Sequence, residues 1–467
     1  MKRLRTWGGE SATVSCLCLL ACLLHGQTPQ APSTAAMERE FQDAMAAQDK
    51  GDLARAESLL LDLHKKESGI FAVDESLGLL YVAGEKFAKA LPLLEAAARE
   101  SERSDVAHAN LGAAYFKLHR NVDALREFER AAQLNPRNAA TQQSLGELLL
   151  AEGKSSRAAE AYAAALEIRP DDSDLKLACA TALVASGEFD KAQSLLAGLP
   201  NGDGSAEAQA LRAQIDEKKG NYQEAVAHFT RAAEIDPSED NLWALSVEFL
   251  RHWTFEAAIR EFEFATQRFP ASTRMKLGLG AAYFGGARYA SAIPVFAVLL
   301  DADKDNSLYA ELLGMACTAV NDSVHKQCSP LITYAESHPK DARANTYAAS
   351  MLLTEATTDA GNALALKLLT HALAVDPKMA EAQYRMGVLE QNQGAWAASI
   401  PSLERSVALK PDFAEAHYRL ALAYWRAGRK EKGQAEMELE KKYAQQQAQD
   451  LNKRLRQITT FIVDGQN

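Results

Sequence analysis

Residues whose types and spacing could perform chemistry are few in this chain of 467 residues. The sequence has no His-Glu-x-x-His metalloprotease motif, no Gly-x-Ser-x-Gly nucleophile turn and no phosphate-binding loop. Its ten histidines are scattered, and none forms an i, i+4 pair or a Cys/His cluster that would suit a metal. We therefore expect a protein that is not an enzyme and that holds no metal or cofactor, and we interpret His108, His228 and His417 as solvated or packing residues.

Glycines cluster in Gly278-Leu279-Gly280 and Gly285-Gly286. A phosphate-binding loop of this composition would follow a strand, whereas this segment has helical periodicity. We interpret these glycines as sites of close helix packing.

The first thirty residues resemble an export signal. Lys2, Arg3 and Arg5 precede an apolar run from Val14 to Leu24, which is too short to cross a bilayer. We predict a signal peptide over residues 1–26 and a polar linker over 27–36. The alternative is a cytosolic protein with an uncleaved hydrophobic N-terminus.

A second cleavage site is open within the same run. Leu19-Leu20-Ala21-Cys22 resembles a bacterial lipobox, in which Cys22 would be lipidated after cleavage before it. Leu23 and Leu24 follow where lipoproteins usually turn polar, so ordinary cleavage near Gly26 is the other prediction. Either site places the mature chain in the periplasm, at the outer membrane or outside the cell.

The composition is that of a folded, acidic protein. Apolar residues make up 47% and charged residues 24%, and the formal net charge is −11. The first 26 residues carry a net +2, so their removal leaves −13. This charge repels phosphate backbones and argues against a nucleic-acid partner.

The chain is built from an internal repeat. Small, aromatic and proline positions return after 34 residues: Gly112 as Gly146, Ala124 as Ala158, Phe128 as Tyr162 and Pro136 as Pro170. We count twelve such units between about Met37 and Gln447. Each contains two apolar-periodic segments separated by turn residues, which predicts a helix, a short turn and an antiparallel helix.

This pattern resembles the tetratricopeptide repeat, whose signature combines the same period with W-x2-L-G-x2-Y, A-x3-F and a final proline. The resemblance covers about nine-tenths of the chain. It implies an all-α, right-handed superhelical solenoid of about twelve repeats over residues 37–447, with an extended concave surface. We expect residues 448–467 to form a C-terminal capping helix, since terminal repeats need a cap; the alternative is a membrane or partner helix.

Three cysteines follow the N-terminal segment. Cys179 occupies a core position and is predicted to be a buried small hydrophobe. Cys317 and Cys328 flank the turn of the ninth repeat, where an oxidising compartment could join them. A disulfide would require Cα atoms ~4.4–6.8 Å apart, so free thiols stay the alternative.

The resemblance also implies where a partner binds. In tetratricopeptide proteins the second, fifth, ninth and twelfth positions of the first helices line the concave groove. In this chain these positions include seven aromatic residues, of which we expect about half to be exposed: Phe116, Trp243, Phe284, Tyr347, Tyr384, Tyr418 and Trp425.

Two specialised grooves of the family lack their residues here. The co-chaperone type uses Lys, Arg and Asn to hold a terminal carboxylate, but the matching positions include Ala109, Ala113 and Glu147. The sugar-transferase type carries an asparagine ladder at the sixth position, where only Asn110 fits.

We therefore predict a scaffold of the bacterial cell envelope, in which a partner peptide or helix occupies the groove. One alternative is a subunit that presents substrate to a separate envelope enzyme or to a secretion or pilus assembly complex. The other is a cytosolic adaptor. Neither the partner nor the oligomeric state follows from the sequence.

Overall fold

Pairs of antiparallel helices account for the structure, a computed structural model that describes residues 35–199, 204–320, 325–354 and 358–464. These residues form α-helices, one 3₁₀ helix and no strand. The predicted signal peptide, Cys22 and most of the predicted linker lie outside the described residues. The helices belong to two units, and the chain passes from the first to the second between Gly220 and Asn221, within the sixth repeat.

Unit 1 contains eleven helices: α1 (Ala35–Asp49), α2 (Leu53–Lys66), α3 (Phe71–Ala83), α4 (Phe87–Glu100), α5 (Asp105–Lys117), α6 (Asn121–Leu134), α7 (Ala139–Ala151), α8 (Ser155–Ile168), α9 (Ser173–Ser186), α10 (Phe189–Ala197) and α11 (Ala206–Lys219). Odd-numbered helices are the first helices of their repeats, and even-numbered helices are the second. Each first helix from α1 to α9 packs against the second helix that follows it.

Unit 2 contains thirteen helices: α12 (Tyr222–Ile235), α13 (Glu239–Arg251), α14 (Phe255–Arg268), α15 (Thr273–Gly285), α16 (Tyr289–Ala302), α17 (Ser307–Ala319), α18 (Ser329–Ser337), α19 (Ala342–Thr354), α20 (Asp359–Val375), α21 (Ala380–Asn392), α22 (Ser399–Leu409), α23 (Ala414–Arg426) and α24 (Lys430–Asp464). The 3₁₀ helix, His325–Cys328, precedes α18. The alternation of first and second helices continues throughout.

The turn between the two helices of a repeat has a recurring left-handed residue. Its φ is positive at Glu85 (56°), His119 (57°), Gly153 (71°) and Gly187 (84°), at intervals of 34 residues. Such a residue ends the first helix and lets the chain reverse into the second. The repeat predicted from side chains is therefore also present in the backbone.

Side-chain caps start many of the first helices. Asp172, two residues after Pro170, accepts a hydrogen bond from the backbone N–H of Leu175. After two other prolines, Pro237 and Pro411, the N-cap residue makes no such bond. Ser238 caps α13 without a side-chain hydrogen bond, and Phe413 rather than Asp412 is the N-cap residue of α23.

The small residues lie where the two helices of a repeat meet. A Cβ atom added to Gly112 would come within 3.0 Å of the Phe128 ring, and one added to Gly146 within 2.9 Å of the Tyr162 ring. Phe128 and Tyr162 are buried. The glycine of the first helix therefore leaves room for the aromatic ring of the second.

A tyrosine at the eleventh position joins neighbouring repeats. The hydroxyl groups of Tyr115, Tyr283 and Tyr424 each donate to a glutamate twenty residues earlier, at 2.7, 2.5 and 2.5 Å respectively. These glutamates, Glu95, Glu263 and Glu404, belong to the second helix of the preceding repeat. Each bond spans the interface between stacked repeats, where nearest-neighbour stability arises.

The ninth repeat departs from this plan. Its second helix, α18, has only nine residues, and α17 packs closely against α19 of the tenth repeat. A Cβ atom on Gly314 would come within 2.6 Å of the Tyr347 ring. Tyr347 thus fills the space that an aromatic residue of the repeat's own second helix fills elsewhere.

The C-terminal segment continues the second helix of the twelfth repeat and is not a separate helix. α24 runs without interruption from Lys430 to Asp464, so it includes the second helix of the twelfth repeat and most of the predicted cap. It packs on α23, where Gln447 donates to the carbonyl oxygen of Asp412 at 3.3 Å.

Candidate functional site

The seven predicted groove residues differ in exposure. Tyr418 is 45% exposed and Trp425 is 37% exposed, whereas Tyr384 is buried. Phe116, Trp243, Phe284 and Tyr347 are half-buried. Two of the seven are therefore exposed, where we expected about half.

The half-buried aromatic residues make contacts within their own unit. Phe116 packs against the core of unit 1 and Phe284 against the core of unit 2. Trp243 meets the fully buried Phe262 edge-on at 5.7 Å, and the guanidinium of Arg274 lies 5.7 Å from its ring centre. These rings contribute packing as well as surface.

Tyr384 is covered by the next repeat. Its ring lies 4.8 Å from that of Phe413, the residue before α23, and the guanidinium of Arg385 lies 5.0 Å from its ring centre. The position of Tyr384 within its repeat predicted the correct face of α21, but the Phe413 ring covers the tyrosine.

Four residues on α21 and α23 form a surface that we call the α21–α23 surface: Arg385, Tyr418, Arg419 and Trp425. The two first helices contact each other directly. Tyr418 and Trp425 are seven residues apart on α23 and so share one helix face. One edge of the Trp425 ring packs on Gly433 of α24, which holds the indole in place while part of it stays exposed.

The two arginines of this surface lack acidic partners. Within the described part of the chain, Arg385 forms no hydrogen bond or ion pair, and Arg419 has a single side-chain hydrogen bond, to Oε1 of Gln391 at 3.4 Å. Burial lowers the pKa of Arg385, and the like charge of Arg419 lowers it further. The pair therefore concentrates positive charge at a partly desolvated place.

Sequence reasoning missed these arginines, together with Trp396. The guanidinium of Arg426 lies 3.9 Å from the centre of the half-buried Trp396 ring, near the end of α21. A signal for the first pair was present, because Arg385 and Arg419 occupy the sixth position of consecutive repeats, 34 residues apart.

The structure pairs Cys317 with Cys328 in a disulfide. Their Cα atoms are 6.2 Å apart, within the range that such a bond requires. The bond ties the end of α17 to the start of α18, across the turn of the ninth repeat. It constrains a repeat whose second helix has only nine residues.

Cys179 is a buried free thiol, as the repeat frame predicted. It lies beside a cleft of about 890 Å³ between α8, α9 and α10. Burial raises the pKa of Cys179 to about 11. Because the thiolate is the nucleophile, this residue is poorly suited to covalent chemistry near neutral pH.

Glu75 on α3 is a buried carboxyl group at a fifth position in unit 1. Burial raises its pKa to about 7, although Nδ2 of Asn110 donates to it at 3.1 Å. Since the folded pKa lies above the unfolded value of 4.5, the folded chain holds this proton more tightly. Its contribution to stability is present below the unfolded pKa and is lost as the pH rises towards the folded pKa.

We expect Glu75→Gln to raise the melting temperature above that of the wild type at about pH 8, with the gap closing towards about pH 5. Gln removes the buried negative charge and keeps an acceptor for Asn110. Calorimetry at both pH values measures the effect. Glu160→Gln, at an exposed position of α8, is the control and should leave the gap near zero. A gap of equal size at both pH values would contradict the raised pKa.

Neither a metal site nor a membrane-spanning helix is found among the described residues. No group of His, Cys, Asp and Glu side chains there has the arrangement of a metal site. No described helix has the length and apolar composition needed to span a membrane.

Comparison with known families gave consistent matches along the chain. Models of the tetratricopeptide repeat match residues 106–138, 149–215, 206–239 and 245–307, and a model described as TPR repeat matches residues 390–428. These segments lie within the region where the repeat was counted. A search of curated proteins found no match.

Solved structures with similar folds are distant in sequence. A tetratricopeptide repeat protein from Parabacteroides merdae is 19% identical, with a TM-score of 0.39 over 53% of this chain and 99% of its own. YrrB, described as a TPR protein with an unusual peptide-binding site, is also 19% identical, with a TM-score of 0.38 over 40% and 97%. The Cut9–Hcn1 hetero-tetramer of the APC/C gives 14% identity and a TM-score of 0.35 over 93% and 90%. These scores are low, and the family assignment depends on the sequence models.

Proposed function

The chain is a tetratricopeptide repeat protein, and we propose that it is a non-catalytic adaptor that binds a segment of a partner protein on the α21–α23 surface. Tetratricopeptide repeats serve generally as protein-interaction scaffolds, and stacked repeats provide extended binding surfaces. The observation that carries this proposal is the exposure of Tyr418 and Trp425 on one face of a first helix. Exposed tyrosine and tryptophan side chains supply large contact areas and are enriched among residues that dominate binding energy.

The binding mode that suits this surface is a helix or an extended peptide laid against first helices. Trp425 is already held on Gly433, so little side-chain freedom is lost when a partner covers it. The fully buried aromatic residues Phe262 and Phe296 belong to the core and take no part in binding.

We expect the double variant Tyr418→Ala/Trp425→Ala to lose a crosslinked partner in cells of the native host. Truncating two aromatic contact residues typically costs at least ~2 kcal/mol each when they are hot spots, which is roughly a thirtyfold loss of affinity or more. In-cell crosslinking followed by mass spectrometry measures the loss. Tyr384 is left intact, because its burial would mix a folding defect with a binding defect.

Phe264→Ala is the matched control, because Phe264 is 49% exposed but lies on the second helix α14. The partner should persist in this variant. Equal melting temperatures of the wild type and of Tyr418→Ala/Trp425→Ala would show that the double variant folds. A partner retained by the folded double variant would place the binding surface elsewhere.

The same proposal includes export to the bacterial cell envelope. Two separate observations support it: the basic start and apolar run of residues 1–26, and the disulfide between Cys317 and Cys328. Mass spectrometry of the mature chain tests it. A chain that begins near Gln27 supports ordinary export and a diacylated Cys22 supports a lipid anchor, whereas an intact Met1 supports the cytosolic alternative.

The non-catalytic part of the proposal has its own test. A hydrolytic activity of the purified wild-type chain that one point substitution abolishes would overturn it. The family assignment favours a scaffold, and in the described residues the recurring histidine contacts are structural: Nδ1 of His108 lies 2.7 Å from Glu127, and Nδ1 of His417 lies 2.5 Å from Glu436. Both pairs join the first and second helices of one repeat.

A further inference from the structure

We infer that Arg385 and Arg419 together bind a carboxylate of an acidic segment in the partner protein. This inference rests on the proposed function, because it identifies the chemistry of the segment that covers Tyr418 and Trp425. It goes beyond that function by assigning a charge to the partner and a position to that charge.

The first observation is that two other arginines on first helices of unit 2, Arg274 and Arg343, already have acidic partners. Arg274 reaches Glu239 at 2.6 Å and Asp240 at 2.5 Å, and Arg343 reaches Glu311 at 2.5 Å. Within the described residues Arg385 has no such partner, and the side chain of Arg419 has only the amide oxygen of Gln391. The N–H donors of these two guanidinium groups therefore have no anionic acceptor among the described residues.

The second observation is that the pair is partly withdrawn from water. Both arginines are half-buried, and Arg385 also lies beside the Tyr384 ring. Withdrawing two like charges from water destabilises them unless an anion is present. A carboxylate fits the planar fork of a guanidinium in a bidentate manner, so a bound carboxylate would supply the anionic acceptor that the pair lacks.

The surrounding charges favour a carboxylate over a longer anionic chain. Glu381 and Glu415 face the pair and attract Arg385 from beyond ion-pair distance, and Glu381 is engaged by Lys410 at 2.9 Å. These carboxylates and the net charge of −11 oppose a polyanion such as nucleic acid. A peptide brings one carboxylate to the arginines and apolar side chains to Tyr418 and Trp425.

The test uses four pools of synthetic peptides of about twelve residues, a length that spans neighbouring first helices. Each pool mixes apolar residues with either Glu or Gln, and each is made with a free or an amidated C-terminus. Retention on the immobilised full chain is measured by mass spectrometry. We expect wild type to retain carboxylate-bearing pools at least about tenfold better than the amidated Gln pool.

The pools also identify the source of the carboxylate. Preference for the amidated Glu pool indicates a side-chain carboxylate, and preference for the free-acid Gln pool indicates a chain terminus. In either case Arg385→Gln/Arg419→Gln should abolish the preference. Arg405→Gln, an exposed arginine on α22, makes the same type of change away from this surface and should leave the preference intact.

Other outcomes overturn the inference in distinguishable ways. A preference that survives in Arg385→Gln/Arg419→Gln, or retention of all pools alike, removes the carboxylate site but leaves the adaptor proposal standing if Tyr418→Ala/Trp425→Ala still lowers retention. Retention of no pool overturns both. Arginine-dependent binding of labelled single-stranded oligodeoxythymidine in preference to every pool would replace the peptide by a nucleic acid.

A stability measurement separates a binding role from a structural one. If these arginines held α21 and α23 together, their removal would lower the melting temperature. Because they repel each other and lack acidic partners among the described residues, we expect Arg385→Gln/Arg419→Gln to melt no lower than wild type. A binding site that is kept at a cost in stability has this signature.

Discussion

Gly280→Leu should destabilise the chain by about 1–3 kcal/mol, although helix propensity alone would make the change favourable by about 0.8 kcal/mol. A Cβ atom on Gly280 of α15 would lie 2.3 Å from the Phe296 ring of α16. Phe296 is fully buried, so the ring cannot move into solvent. The sign of the effect therefore distinguishes steric overpacking from backbone preference.

The midpoint of urea unfolding measures the loss, and hydrogen exchange of peptides from α15 and α16 locates it. Ala281→Leu is the matched control, because Ala281 is the next residue of the same helix and is exposed. It should change stability by less than about 0.5 kcal/mol. Equal losses at both positions would contradict the packing that we describe.

A double-mutant cycle tests the contact itself. Phe296→Ala alone should cost about 3–5 kcal/mol, because it empties a fully buried aromatic site. In the Gly280→Leu background the same truncation should cost less, since the leucine occupies space that the ring leaves. Additive losses would mean that the two residues do not touch.

The pairing of a small residue with a ring explains why so much of the fold could be predicted. Gly112 with Phe128 and Gly146 with Tyr162 recur at one spacing, and each pair allows one arrangement of the two helices. A repeat identified from such pairs predicts helix order and core residues together. The left-handed turn residues at Glu85 and His119, by contrast, are not glycines and gave no signal in the sequence.

Less could be predicted where one repeat relies on its neighbour. The repeat frame assigned Tyr347 to a groove, but the short α18 leaves a space over Gly314 that the Tyr347 ring fills. Tyr384 is buried by Phe413, which belongs to the next repeat. Position within a repeat therefore predicted the face of a helix, whereas exposure depended on residues more than twenty positions away.

The candidate site was predictable to the same degree. Tyr418 and Trp425 follow from the position frame, because no later first helix covers α23 within the described residues. Arg385 and Arg419 do not follow from it, since an arginine at the sixth position is unremarkable until its neighbours are known. Their distinguishing property is that they are half-buried without an acidic partner among the described residues, which only the folded arrangement reveals.

Removal of the disulfide should lower the free energy of unfolding by about 2–4 kcal/mol. The bond joins Cys317 and Cys328, which are 11 residues apart, and so restricts the unfolded chain over the turn of the ninth repeat. Cys317→Ala/Cys328→Ala should lower the midpoint of urea unfolding. Dithiothreitol should lower the wild-type midpoint by a similar amount and leave the double variant unchanged.

Cys179→Ala is the control for this experiment, because Cys179 is a buried free thiol. That variant should keep the full response to dithiothreitol. A wild-type midpoint that does not respond to the reductant would contradict a stabilising bond. A response that survives in Cys317→Ala/Cys328→Ala would assign the effect to another pair of cysteines.

The same bond connects stability with cellular location. Thiols in the cytosol are kept reduced, whereas disulfides form and persist in the oxidising environment of the cell envelope. An adaptor that gains this stability only when its cysteines are oxidised is therefore best suited to the envelope. Alkylation of free thiols in intact host cells, before and after reduction, should therefore find Cys317 and Cys328 bonded and Cys179 free. Reduced thiols at all three positions, on a chain that retains Met1, would favour the cytosolic adaptor and would predict the less stable form of the ninth repeat in the cell.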